Sequence, residues 1–367
     1  MRIGDLIREL RKARGWSQGR LASELNDAFG TNLDREYVSR WERSKNVPSD
    51  YYLAKLSAVL DVPLAVLEGD VKRRTFLTDA AGAAIAPVVA SDLLSAGFSA
   101  RLHGGPSADA WEAKLATYGT DYMSMGAADI QRRVSGELVV VQQQLDDPRL
   151  WSVASRLMTL YAKTFPGSDG SKAVHWYRLA VEAADESGNL AARVWVRGRA
   201  AIALGYEGAS LGVADILADQ AMAASDKPSL GLLNAIYGKA HAAALRGDRA
   251  TALALDAKGR RIFDAAGSHE QTSDYAVPWW RVNVFRSLLL ARLGDERGAV
   301  EAQDAARVEL PAELPRFATH LELHRGLMLA RSGDRAGGVA YAQAAMDALP
   351  PEKHSLTLRM LMDEIRA

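Results

Sequence analysis

Apolar residues recur every three or four positions through the first sixty residues, which is the spacing of a helix with one buried face. In the first run they form a single stripe of Ile3, Leu6, Ile7 and Leu10. Gly15 follows, and glycine is typical of a helix end because it adopts the left-handed backbone conformation at little cost. The spacing therefore predicts an amphipathic helix that ends just before this glycine.

The same spacing, interrupted by capping and helix-breaking residues, predicts four more short helices. Ser17 and Asp34 have side chains that can cap a second and a third helix. Pro48-Ser49 begins a fourth helix, and Pro63 suits the first turn of a fifth. The residues expected to face inward are Leu21, Ala22, Leu25, Val38, Trp41, Leu53, Leu56, Val59 and Leu60. Five short helices predict a compact all-α domain.

From residue 111 onward the helical spacing continues and a repeating unit emerges. Three Gly-Asp pairs each follow a helical run, 47 and 39 residues apart: Gly247-Asp248, Gly294-Asp295 and Gly333-Asp334. Small residues precede each glycine by seven positions and recur in the next helix: Ala240, Ser287, Gly326, Ala252, Ala299 and Gly338. Because small residues let helices cross closely, the pattern predicts stacked helical pairs. Weaker units are expected around residues 195–205 and 157–184, and a first pair around residues 111–145.

Composition narrows the class of protein without identifying it. Hydrophobic residues make up 48% of the chain and charged residues 25%, with zero net charge and no cysteine. These values are typical of a globular protein, and the absence of cysteine excludes disulfides and agrees with a reducing cytoplasm. The longest apolar stretch, residues 80–90, is too short to span a bilayer. Residues 1–75 carry 14 Lys and Arg against 11 Asp and Glu, a slightly basic head compatible with DNA binding.

The sequence offers little for catalysis or metal binding. It contains no glycine-rich phosphate loop, no His-Glu-x-x-His and no nucleophile elbow, so we predict neither an enzyme nor a cofactor. His320 and His324 stand four apart on a helix, but no third ligand is evident and we predict no metal site. Arg73-Arg74 sits in a stretch like a twin-arginine export signal, yet a whole domain precedes it, so we interpret it as a linker.

Several motifs of the first domain resemble the lambda-repressor-like (Xre/Cro) helix-turn-helix family over residues 3–67. They are Arg14-Gly15-Trp16-Ser17-Gln18, Leu21-Ala22, Val38-Ser39-Arg40-Trp41-Glu42-Arg43 and Pro48. One departure is the stretch from Asn26 to Leu33, which makes a longer link between the second and third helices than the usual tight turn. The resemblance implies a five-helix domain that places its third helix in the major groove of DNA.

Roles in DNA binding follow from this resemblance by position. The residues expected to face base edges are Arg35, Glu36, Tyr37 and Arg40, because arginine can grip guanine and glutamate can accept from cytosine. Gln18 matches the glutamine that contacts phosphate in the family, and Arg43 and Lys45 are further backbone contacts. An alternative stays open for Glu36, which can instead pair with Arg40 at the i,i+4 spacing.

The Gly-Asp units resemble tetratricopeptide repeats, although most aromatic signature positions are absent. The resemblance implies a helical solenoid with a concave groove. Inner-face positions fall on Trp195, Arg199, Asn234, Tyr237, His241, Arg281 and His320. Amide, arginine and aromatic side chains suit an extended peptide, so we predict that these residues bind a ligand of that kind. Trp279 and Trp280 cannot share one apolar stripe, so at least one should pack between repeats or line the groove.

The layout predicts a DNA-binding domain over residues 1–70, a linker with connecting helices over 71–110, and a repeat domain for sensing and dimerisation over 111–367. It resembles the peptide-responsive quorum-sensing regulators of Gram-positive bacteria, and still more the actinobacterial regulators of the same layout. The resemblance implies a cytoplasmic homodimer on a pseudo-palindromic double-stranded DNA operator, controlled by a short signalling peptide. Two alternatives stay open: an adaptor whose repeats bind a partner protein, and an orphan repressor whose repeats only dimerise.

Overall fold

The computed structural model describes residues 3–46, 48–60, 87–165 and 171–367. Within these ranges the regular elements are helices, with no strand among them. The chain divides into two compact units, Met1–Val89 and Ala90–Ala367, each with its own core. The predicted all-α architecture, a small N-terminal helical domain followed by a repeat-like helical domain, is confirmed.

The first unit contains α1 (Ile3–Ala13), α2 (Gln18–Phe29), α3 (Arg35–Glu42) and α4 (Asp50–Val59). Gly15 has φ 67°, and the side chains of Ser17 and Asp34 accept hydrogen bonds from the first turns of α2 and α3, as predicted. The fully buried residues of its core include Ile7, Leu21, Leu25, Val38, Leu53 and Leu56. The predicted fifth helix at Pro63 and the Arg73-Arg74 segment lie outside the described residues.

The link between α2 and α3 is shorter than the sequence predicts, because α2 continues to Phe29. Gly30 ends that helix with φ 62°. The side chain of Asn26 then fastens the link: its Oδ1 accepts from the backbone N–H of Leu33 and the hydroxyl of Thr31, both at 2.8 Å. Its Nδ2 donates to the Leu33 carbonyl, also at 2.8 Å. One asparagine thus fixes the orientation of α3 relative to α2.

Among the described residues, the second unit contains fourteen α-helices and one short 3-10 helix, Pro351–Lys353. The α-helices are α5 (Pro87–His103), α6 (Ala108–Ser124), α7 (Ala127–Gln142), α8 (Pro148–Ala162), α9 (Ser171–Glu186), α10 (Leu190–Glu207), α11 (Leu211–Ala224), α12 (Leu230–Leu245), α13 (Arg249–Ala266), α14 (Trp279–Arg292), α15 (Glu296–Glu309), α16 (Pro315–Arg331), α17 (Arg335–Ala348) and α18 (Leu356–Arg366).

Helices α6 to α17 form six successive pairs, which agrees with the units expected from the sequence. The first helix of each pair packs beside the first helix of the next, and we call these helices, α6, α8, α10, α12, α14 and α16, the inner layer. From α10 on, the inner helices are buried over much of their length, whereas their partners bury one narrower stripe. α18 packs against α16 and α17 and also touches α10.

The three predicted Gly-Asp turns are confirmed. Gly247, Gly294 and Gly333 have φ values of 79°, 68° and 108°, a region in which a side chain would be strained. The aspartate after each glycine then caps the next helix through its carboxylate. The turn sequence is therefore explained by two local needs, a left-handed residue and an N-cap.

Close helix crossings hold the inner layer together. Gly198 and Gly205 of α10 face the backbone of Gly231 and Gly238 of α12. A Cβ atom on Gly238 would lie 2.5 Å from the carbonyl carbon of Ala201 and 2.7 Å from the amide nitrogen of Ile202. Trp280 is fully buried and packs against Phe317 of the next pair, with ring centroids 5.0 Å apart, as predicted for at least one of the two tryptophans.

The unequal spacing of the Gly-Asp turns also has a structural cause. Between α13 and α14, residues 267–278 form a long loop, which we call the 267–278 loop. It reaches back to the start of the unit, where the Asp274 backbone N–H donates to the Gly119 carbonyl at 2.8 Å. The corresponding connection between α15 and α16 covers only residues 310–314. No helix in the described part of the chain is both long and apolar enough to cross a membrane.

We expect Gly238→Ala to destabilise the protein by about 1–3 kcal/mol, because the added methyl group must displace backbone rather than a flexible side chain. The measurement is the free energy of unfolding by denaturant. Gly212→Ala is the matched control, since this glycine is also helical but has open space around its Cα. A Gly238→Ala variant as stable as the control would contradict the close crossing.

Candidate DNA-binding surface and ligand cavity

α3 presents one polar face to solvent and buries the other. Val38, Trp41 and Glu42 point into the first unit. Four residues predicted to contact bases are exposed on the opposite face: Arg35, Glu36, Tyr37 and Arg40. Arg43 and Lys45, predicted to contact the DNA backbone, are exposed just after the helix. The face can therefore meet a groove without any rearrangement of the core.

The ion pair between Glu36 and Arg40, expected as an alternative to base contacts by Glu36, is present in this structure. Arg40 Nη2 lies 3.1 Å from Glu36 Oε1, and the Arg40 guanidinium stands 5.7 Å from the centroid of the Tyr37 ring. These side chains are exposed, and solvent-exposed ion pairs of this kind are weak. Arg40 can therefore exchange Glu36 for a base or a phosphate at little cost.

Glu42 is a charged residue at the centre of the first unit, with only 2% of its surface exposed. Arg11 donates to both of its carboxylate oxygens, at 2.5 and 3.0 Å, and Gln18 Nε2 donates to Oε2 at 2.7 Å. Burial by itself raises the pKa of Glu42, but the hydrogen bonds from Arg11 and Gln18 outweigh it and the pKa is lowered. Gln18, predicted to contact phosphate, is thus held at the start of α2 by a buried carboxylate.

The second unit contains a cavity of about 650 Å³, including the space at its mouth. Its wall comes mainly from the inner layer, with additions from the chain around the start of α18. The lining residues are Tyr122, Lys163, Arg199, Ile202, Ala203, Tyr206, Glu207, Arg281, Val284, Phe285, Arg316, Phe317, His320, Ser355 and Thr357. Cations, aromatic rings and aliphatic side chains therefore share one concave space.

Asp274 of the 267–278 loop lies behind this wall and binds three of its cations. Lys163 Nζ is 2.6 and 2.7 Å from the two carboxylate oxygens, and the guanidinium groups of Arg199 and Arg281 are 2.6 and 2.8 Å from Oδ1. Burial alone raises the pKa of Asp274, but the cations Arg199, Lys163 and Arg281 hold it well below its usual range. The carboxylate is therefore ionised.

The fourth cation of the wall is Arg316, at the start of α16. Its Nη2 donates to the backbone carbonyls of Tyr122 and Met123, at 2.9 and 3.1 Å. Its guanidinium also stands 5.6 Å from the Tyr122 ring and 5.5 Å from the Phe317 ring. Across the cavity, burial raises the pKa of Glu207 to about 7, against a hydrogen bond from the Thr357 hydroxyl. Burial and the neighbouring arginines lower the pKa of Lys163 well below its usual range. Arg199, Arg281 and Arg316 therefore carry the positive charge of the wall at neutral pH.

The two histidines considered as metal ligands are hydrogen-bonded to one tyrosine. The Tyr206 hydroxyl lies 3.2 Å from His320 Nδ1 and 2.9 Å from His324 Nε2, and Ser287 contacts the other nitrogen of His324 at 2.9 Å. Burial lowers the pKa of His320 to about 3, so its ring is neutral. In the ranges that the structure describes, no cluster of three His, Cys, Asp or Glu residues could hold a metal ion.

The structure places only three of the seven residues predicted to bind a ligand in the cavity. Arg199, Arg281 and His320 line the cavity. The others lie elsewhere: Asn234, Tyr237 and His241 are buried among the helices, and Trp195 is half-buried beside Tyr275, with ring centroids 5.3 Å apart. Ligand binding by all seven stays a prediction.

Sequence reasoning missed Lys163, Glu207, Asp274 and Arg316. The signal for Asp274 was the extra length between the first two Gly-Asp turns, which the loop accounts for. The partners of this residue could not be read from spacing, because Lys163 stands 111 residues before it.

Comparison with known proteins identifies the N-terminal part of the chain. A family model described as helix-turn-helix matches residues 7–67, which confirms the predicted helix-turn-helix domain. Among solved structures, Bacillus thuringiensis PlcR in complex with the peptide PapR7 and DNA is similar at 14% identity and a TM-score of 0.35, covering 94% of this chain and 99% of that one. A likeness that slight assigns neither fold nor function. No curated protein matches the sequence.

We expect Glu42→Gln to destabilise the first unit by about 2–3 kcal/mol, since it leaves the buried Arg11 guanidinium without its counter-charge. Hydrogen exchange of peptides from residues 3–60 reports this unit separately from the rest of the chain. Glu24→Gln is the control, because Glu24 pairs with the exposed Arg20 one turn away on α2 and should change exchange little. Equal protection in the two variants would show that Glu42 is not structural.

Proposed function

We propose that this protein is a sequence-specific DNA-binding transcriptional regulator, not an enzyme, and that its repeat-like unit controls it by binding a ligand. We propose a short signalling peptide as that ligand. The observation that carries the proposal is the presence on one chain of a helix-turn-helix domain and of a separate unit with a cation-lined cavity. Such a protein would act in the cytoplasm, where its DNA is.

The DNA-binding half of the proposal rests on α3. Its exposed face carries two arginines, a glutamate and a tyrosine over two helical turns. Side chains at the N-terminal end of a recognition helix contact base edges in the major groove, and arginine reads guanine with two hydrogen bonds. We therefore assign base contacts to Arg35 and Arg40, and backbone contacts to Gln18, Arg43 and Lys45.

The ligand-binding half rests on the cavity. Its wall combines a few charged side chains with aromatic and aliphatic ones, which favours a small ligand or the end of a peptide over a partner protein. A ligand controls DNA binding only if it binds two conformations of the protein with different affinity. Stacked helical pairs supply such conformations, because small changes at each interface add up along the array.

We expect Arg35→Ala and Arg40→Ala each to weaken binding to the preferred duplex about ten- to a hundredfold and to relax base preference at one position. The measurement is selection of bound duplexes from a random oligonucleotide pool, followed by titration of the enriched site. Arg297→Ala is the matched control, since Arg297 is exposed and pairs with Glu301 four residues on, as Arg40 pairs with Glu36. If the wild-type protein enriches no motif, the proposed function is wrong.

We further propose that the protein is a homodimer on a pseudo-palindromic operator, because one helix-turn-helix domain covers only a half-site. A surface that suits a second copy lies on α5. Leu94, Phe98 and Leu102 are 62%, 67% and 73% exposed, and their spacing of four places them on one face of the helix. Large apolar side chains grouped in this way favour association.

Light scattering on the full chain should report twice the mass of one chain, and the Leu94→Ser/Phe98→Ser double variant should report the single mass. The reason is that the double variant removes most of the apolar stripe from both partners of the interface. Val308→Ser is the control, since Val308 is 85% exposed but lies away from this helix, on α15. A double variant that stays dimeric would place the interface elsewhere.

A further inference from the structure

The wall of the cavity holds more positive charge than the protein neutralises. Lys163, Arg199 and Arg281 converge on the single carboxylate of Asp274, and their side chains are 10%, 4% and 5% exposed. Burial and the two arginines lower the pKa of Lys163 well below its usual range, so the fixed charges are those of Arg199 and Arg281. One carboxylate balances one of these charges. Removing unpaired cations from water is costly, so a second anion at this place would be strongly favoured.

Arg316 adds to this excess of positive charge. It also lines the cavity, and its Nη2 donates to the backbone carbonyls of Tyr122 and Met123, which carry no net charge. Glu207 is the other carboxylate of the wall, and it is protonated in part at neutral pH because burial raises its pKa to about 7. Even without Lys163 and with Glu207 ionised, the guanidinium groups of Arg199, Arg281 and Arg316 outnumber the two carboxylates.

Hydrogen-bonding capacity is also left over beside the excess charge. The Nε atoms of Arg199 and Arg281 are buried and have no hydrogen-bond partner among the described residues. Buried polar groups of proteins are nearly always paired, and exceptions call for a ligand, a water or another explanation. Nη2 of both arginines already donates to Asp274, and Nη1 of Arg281 donates to three carbonyls of the 267–278 loop. An added carboxylate would therefore pair with Nε through a charge-assisted hydrogen bond.

The other part of the wall is apolar, and it sets the second requirement on a ligand. Ile202, Val284 and Phe285 come from α10 and α14, and Phe317 adds an aromatic face beside Arg316. A bare inorganic anion would leave these surfaces wet. A ligand with an apolar body next to its charged group would cover them and gain from their burial.

We propose that this cavity binds the carboxylate of a ligand with an apolar body, held by Arg199, Arg281, Lys163 and Arg316. The inference rests on the proposed function in one respect, that the ligand is the regulator's effector; the binding itself follows from the wall. A carboxylate of this kind has two sources, the C-terminal residue of a short peptide and a free apolar carboxylic acid.

The test measures the rise in melting temperature of the full chain with defined probes. 3-Phenylpropanoic acid represents the free acid and N-acetyl-Ala-Ala-Phe the peptide C-terminus, and each is compared with its amide and with inorganic phosphate. We expect stabilisation by the carboxylate forms and loss of it in the amides. The stronger of the two carboxylate probes identifies the source. Equal stabilisation by acid and amide, or by phosphate alone, would overturn the proposal, as would no stabilisation by any probe.

Two variants change the charge of the wall in opposite directions. Arg316→Gln should weaken binding of the better probe about tenfold, because it removes one charged donor. Asp274→Asn keeps the shape of the side chain but removes the carboxylate that competes for the same cations, so it should tighten binding about tenfold. A merely structural role for Asp274 would lower the melting temperature without any gain in affinity, and that result would contradict the proposal.

Arg133→Gln is the matched control for Arg316→Gln. Arg133 is also a partly exposed arginine whose guanidinium stands over a tyrosine ring, at 5.3 Å from Tyr118, but it does not line the cavity. The Arg133→Gln variant should bind the probes with the affinity of the wild type. The DNA selection is independent of these probes, so a failed probe series with an enriched DNA motif removes this inference alone. Probe binding without any enriched motif would instead remove the proposed function.

Discussion

Asp274 stands on the loop between the outer helix α13 and the inner helix α14, and it pairs with cationic side chains of α10, α14 and the end of α8. These groups are far apart in sequence, and each is nearly excluded from water. A buried ion pair gives little net stability relative to apolar packing, but removing one partner is strongly destabilising. The loop is therefore held in place by a carboxylate whose departure would leave Arg199 and Arg281 unpaired, unless another anion took its place. The shape of the cavity depends on that constraint.

Close packing of the inner layer explains which predicted residues reach the cavity. Glycines of α10 and α12 bring the two backbones into contact, and the end of α10 also meets α14 and α16: Arg292 donates to the carbonyls of Gly205 and Tyr206. In a more open solenoid, the inner-face positions of α12 would face the groove. Here the same side chains are buried between helices. Asn234 and His241 are examples, since both are fully buried.

The features that could be predicted from the sequence depend on residues close together in the chain. The Gly-Asp turns, the caps at Ser17 and Asp34 and the inward stripes each depend on residues a few positions apart, and all are present in the structure. Interactions over long sequence distances were not predictable from spacing. Glu42 looked like one more charge in a recognition-helix motif, and only the fold brings Arg11 and Gln18 to it. Of the residues predicted to bind a ligand, Arg199, Arg281 and His320 line the cavity, whereas Trp195 on α10 and the three residues on α12 do not.

The cations of the cavity have two possible partners, and this offers a physical route for control. A ligand carboxylate beside Arg199 and Arg281 would share them with Asp274, so the attraction that each anion feels is reduced by the other. The affinity for the ligand and the attachment of the 267–278 loop through Asp274 are then coupled. A change that weakens the loop's attachment raises the affinity for the ligand, and the bound ligand in turn weakens the attachment of the loop. The backbone of this loop also bonds to α6 through Gly119, so a change at the carboxylate reaches the first helical pair of the array. Differential affinity for two positions of one loop is what a ligand needs in order to shift the conformation of a stacked helical unit.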